Sequence, residues 1–92
     1  MGINITQIYN QAEQLSAQAF ALRAARSSLL LYKRDLNDRW KGMEMMHINL
    51  CIDGHADMLA AIASSLISIS NDVVTEAEAI RKAEELKVQE VQ

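Results

Sequence analysis

Two proline-free arms with helix-type hydrophobic spacing meet at Trp40-Lys41-Gly42, and that junction leaves the chain very few ways to fold. In the first arm the stripe runs Ile8, Ala12, Leu15, Ala19, Leu22, Ala25, Leu29, Tyr32, Leu36 and Trp40, with every gap three or four residues. In the second it runs Met45, Ile48, Ile52, His55, Leu59, Ile62, Leu66, Ile69, Val73, Ala77 and Ile80, again at three or four. Such spacing lines one face of an α-helix and is close to a coiled-coil seam. A glycine between the arms is the natural stop for the first helix, since a left-handed residue costs glycine little. The sequence therefore predicts an all-α fold, an antiparallel helix-turn-helix hairpin with Trp40 as a packed corner. Helix one covers about 4–40, the turn 40–43 and helix two about 43–85, followed by a fraying tail.

Local signals agree. Asn4 can cap the first helix, with Gln7 in the capping-box position and Ile3 and Ile8 at the offset of a hydrophobic staple; Thr6 is a rival cap. Arg39 and Lys41 suit a helix C-terminus, and Glu44 a first turn. Gly54 weakens the second helix and leaves room for a neighbouring helix to approach. Leu66-Ile67-Ser68-Ile69-Ser70 alternates in part like a strand, but the helical stripe continues through it. Thr75 to Glu78 could also begin a separate short helix. Leu30 and Leu31 fall off the main stripe and widen the apolar surface.

Half of the 92 residues are apolar, but only four are aromatic: Trp40, Tyr9, Tyr32 and Phe20. A lone two-helix hairpin leaves much of its apolar surface wet, so a dimer closing a four-helix bundle is expected. Residues 1–41 carry six cations against three acids, +3, and residues 42–92 three cations against nine acids, −6. Opposite signs favour folding the arms together. An acidic chain without aromatics among its basic residues does not suit nucleic acid. Cys51, the single cysteine, has no internal disulfide partner. No basic leader precedes Glu13, and the uncharged run 58–71, with four serines, is shorter than the ~20 residues of a membrane span; a soluble chain is expected.

His47, Cys51 and His55 follow one another at four-residue steps along one side of the second helix, the residue types that hold zinc. Three ligands on one straight helix do not converge without another segment, and no metal or cofactor is assigned. Met43, Met45 and Met46 read as flexible core filler. No nucleophile elbow, phosphate loop or HExxH is present, so the chain is not read as an enzyme.

The central Trp40-Lys41-Gly42, the length and the paired helical arms resemble the WXG family, the small ESAT-like proteins of bacterial type VII (ESX) secretion. The resemblance implies a hairpin with Trp40 and Gly42 in the turn. It implies a homo- or heterodimeric antiparallel four-helix bundle, with Ile8, Leu15, Leu22, Leu29, Leu36, Leu59, Ile62, Leu66 and Ile69 in the pairing core. The implied function is that of a secretion substrate or co-secreted targeting partner, secreted without a cleaved signal peptide. The implied partners are a second copy or a related chain, the type VII ATPase and membrane complex, and a larger exported toxin with a helical N-terminal domain. Both tyrosines lie in the first arm, so the family's tyrosine-based tail signal is missing; a looser pattern fits Arg81, Glu85, Val88 and Gln92. A cytoplasmic helical adaptor or a small metal-binding bundle would share the fold.

Overall fold

The computed structural model describes the backbone of residues 3–91 and the side chains of residues 3–89. Two helices, α1 (Ile5–Arg39) and α2 (Met43–Val91), run antiparallel, and no strand occurs among the described residues. The region 66–78 is continuous helix, so neither the strand-like alternation nor the Thr75 cap signal interrupts α2. Helix-compatible side chains and a neighbouring helix outweigh a few β-branched residues. Helix two, expected to end near 85, runs on to Val91. Gln92, the last residue of the loose tail pattern, lies outside the described residues.

Asn4 caps α1 as expected, its Oδ1 accepting the Gln7 N–H at 3.1 Å. At the other end Trp40 leaves the helix in an extended conformation (φ −120°, ψ 134°) while its N–H still bonds Leu36 O at 2.8 Å. Gly42 then takes φ +124°, and its carbonyl accepts the Met45 N–H that opens α2. The glycine therefore works as the entry to the second helix; the exit from the first is made at Trp40. Trp40 is 64% exposed, so the packed corner expected from the sequence is not formed. Trp40 instead lines an open groove at the bend.

Polar contacts fix the register of the hairpin. Ile3 N–H donates to Glu84, the Tyr9 hydroxyl to Glu78, Lys33 Nζ to Asp53, and Asn37 and Asn49 exchange side-chain amide bonds. Ser16 faces Ser70. The residue numbers in each of these pairs sum to 86 or 87. Ile5 thus lies opposite residue 81 or 82, and the last ten or so residues of α2 overhang α1 by about 15 Å at 1.5 Å per residue. The molecule is a rod of 76 × 16 × 13 Å.

Candidate pairing face

The buried row between the helices is made of small residues. Ala12 and Ala19 of α1 face Ala56, Ala63, Ser70 and Ala77 of α2, all buried; Met45 and Ile52 are the large side chains that join them. Small side chains let the helix axes come close, and the remaining positions of the row are polar. Ser70 Oγ–H donates to Ala12 O at 2.9 Å, which leaves its oxygen to accept from Ser16 at 3.2 Å. Asn37 and Asn49 form a reciprocal pair at 2.7 and 2.9 Å, and Asn37 Nδ2 also reaches Lys33 O. Arg26 occupies the row between Ala19 and Lys33; its Nε is buried with no hydrogen-bond partner.

This inner row departs from the stripe read in the sequence. In α1 Arg26 and Lys33 turn toward α2, whereas Ala25 and Tyr32 are exposed. In α2 the inner positions are 49, 56, 63 and 70, one residue beyond Ile48, His55, Ile62 and Ile69, which are all exposed. The physical reason is size. A heptad of Ala and Ser permits close approach, and the larger heptad beside it is displaced to the flank. Met43 and Met46 are likewise exposed, and only Met45 of the three fills the core. Gly54 is not a crossing point, since a Cβ there would meet nothing within 4 Å.

The flanks of the inner row differ. One carries Tyr9, Ser16 and Asn37 on α1 with Asp53 and Glu78 on α2, the residues of the polar contacts. Glu78 holds the Tyr9 phenol above its ordinary range, chiefly through the 2.8 Å hydrogen bond, with burial and the nearby negative charge acting the same way and Arg81 against it. The opposite flank is apolar along its length. On α1 it is the heptad Ile8, Leu15, Leu22, Leu29 and Leu36, each half-buried. On α2 it is Ile52, Leu59, Leu66, Val73 and Ile80, and outside them Ile48, Ile62 and Ile69, which are 42%, 44% and 49% exposed. Two open grooves show that both helices share this side. At the bend Leu36, Trp40, Lys41, Glu44, Met45 and Ile48 line one. At the open end Ile3, Ile8, Asp72, Val73, Glu76, Ala77 and Ile80 line the other.

The pairing residues expected from the sequence thus come together, but as one flank of the hairpin. Leu59 and Leu66 are half-buried between the helices, and Ile62 and Ile69 point away from α1. What the sequence reading missed is the polar content of the inner row, Arg26, Lys33 and Asn49, with Asn37 beside it. The seven-residue spacing of Arg26 and Lys33 from Ala12 and Ala19, and of Asn49 from Ala56 and Ala63, was the available signal.

His47, Cys51 and His55 are exposed, and among the described residues no three His, Cys, Asp or Glu side chains gather in metal-binding geometry. Arg81 and Glu85 form an exposed i, i+4 ion pair at 3.8 Å, with Val88 exposed beyond them. By length and composition alone α2 is apolar enough to cross a membrane, a test that the core helix of a soluble protein also passes. That property reflects the exposed isoleucine row together with the apolar inner side of the same helix. No family model matches the chain, and no curated protein or solved structure matches it.

Proposed function

We propose that the chain is a non-enzymatic pairing module whose apolar flank receives a second helical hairpin, closing a four-helix bundle. One observation carries this reading: the uncovered apolar flank that runs from Ile8 and Ile80 at one end to Leu36 and Ile48 at the other. The hairpin exposes 7172 Å², about a third more than the ~5,400 Å² of a compact chain of 10.3 kDa, so the rod shape leaves ample surface for a partner.

The resemblance at Trp40 and Gly42 gives the pairing a setting: a substrate or co-secreted partner of a type VII system, exported as a pair, with Arg81, Glu85 and Val88 in the tail available to the export machinery. In the native host the protein is expected in the culture medium, and deleting the secretion ATPase should retain it in the cells. Retention in both strains, with pairing intact in vitro, would leave a cytoplasmic adaptor and end the export reading.

A further inference from the structure

We infer that Cys51 and His55, with Met58 beside them, form a binding site for a soft monovalent cation, copper(I), on the outer surface of α2. The site is complete within one chain and needs no pairing partner. Residues at i, i+3, i+4 and i+7 of a helix enclose one patch of its surface. In α2 one such patch is Cys51, Gly54, His55 and Met58: a thiol, a bare backbone, an imidazole and a thioether. Cys51 and His55 are exposed, and Met58 is 57% exposed, so its sulfur is not core filler. Glycine weakens a helix interior, and at position 54 no neighbouring helix uses the room it leaves, since a Cβ there would meet nothing within 4 Å. What the missing side chain opens is the gap between two sulfurs and an imidazole.

The donor set selects the ion. Helix side chains lean toward the N-terminus, so the long imidazole of His55 reaches back toward the short Cys51, and Met58 reaches back over Gly54. Cβ atoms four residues apart on a helix are about 5–6 Å apart. Two metal–ligand bonds of roughly 2 Å each span a similar gap, so thiolate and imidazole can grip one ion between them. Structural zinc takes four donors. Here Asp53, the nearest carboxylate in sequence, is held by Lys33 at 2.8 Å, and no third His, Cys, Asp or Glu gathers among the described residues. Copper(I) is satisfied by fewer and softer donors, and thiolate and thioether favour it. On binding, the Cys51 thiol releases its proton to water and the thiolate bonds the ion. Thiolate and cation cancel, so the loaded site is neutral, which suits its place one turn from the exposed Ile62 of the apolar flank. His47, one turn before Cys51, leans away from it toward Met43.

The test titrates the untagged full chain, reduced and kept from oxygen, into copper(I) bicinchoninate and follows loss of the dye complex's colour. The expected result is one ion taken per chain, with the sedimentation mass the same before and after loading. Cys51→Ser and His55→Ala should each weaken uptake about tenfold or more. Helix content should stay unchanged in both, because the two side chains are exposed. Gly54→Leu should weaken uptake too, by filling the patch, while the helix melts no earlier. His47→Ala should leave uptake as it is, and excess zinc(II) should not displace the copper. One ion per two chains, with a mass that doubles on loading, would place copper between the Cys51 thiolates of two molecules and overturn the site. Uptake lost in His47→Ala but kept in His55→Ala would overturn the assigned pair. Uptake kept in Cys51→Ser, displacement by zinc(II), or no transfer from the dye at all would overturn the inference as a whole.

Discussion

Gly42 and Gly54 separate two roles of the same residue type. Gly42 holds φ +124° with open space where a Cβ would stand, so a side chain there is resisted by backbone geometry alone. Gly42→Val should lower stability by about 1 kcal/mol or more, read as a fall in melting temperature. Gly54 is helical and faces open space, so Gly54→Ala should gain up to about 1 kcal/mol. Tyr9 gives a different kind of test. Its phenol ionises above the ordinary value of about 10, because the neutral hydroxyl donates to Glu78. A group whose folded pKa is raised contributes fully below its unfolded pKa and loses that contribution as pH rises through the folded value. In a Tyr32→Phe background, ultraviolet titration should show Tyr9 ionising late, and Glu78→Gln should bring it down. A titration unmoved by Glu78→Gln would remove the bond as the cause.

The two helices were legible at the level of elements because 3.6-residue periodicity, an Asn4 cap and a central glycine all agree. Which stripe turns inward was not. Ile52, Leu59 and Leu66 belong equally to the row facing α1 and to the row facing away, so apolar spacing alone leaves the choice open by one residue. The choice is made by Ala56, Ala63 and Ser70, whose smallness appears in the sequence only as an absence of bulk. Trp40 misled for the opposite reason, since a large aromatic at a bend reads as core whether or not anything covers it. Arg26 marks where the inner row is poorest, with a buried donor left unpaired. Arg26→Met keeps the stem and removes the orphan, and should raise stability by about 1 kcal/mol in thermal melts. A loss instead would mean that the guanidinium is satisfied by water at its exposed end.

At the scale of the whole molecule, an inner row of alanine, serine and asparagine buries little, and the proposed pairing would cover part of the 7172 Å² that the rod exposes. Melting temperature should therefore rise with protein concentration. Ile62→Asp with Ile69→Asp should convert the paired form to monomer and lower helix content, because both side chains point away from α1 and would desolvate charge only on pairing. A double variant that still sediments as a dimer would place the contact elsewhere. The unequal flanks have one last consequence. If the apolar flank is closed by one partner hairpin, as proposed, that contact uses up the flank in one encounter. Growth then stops at two, so concentrated solutions should stay free of fibres and scattering should level off.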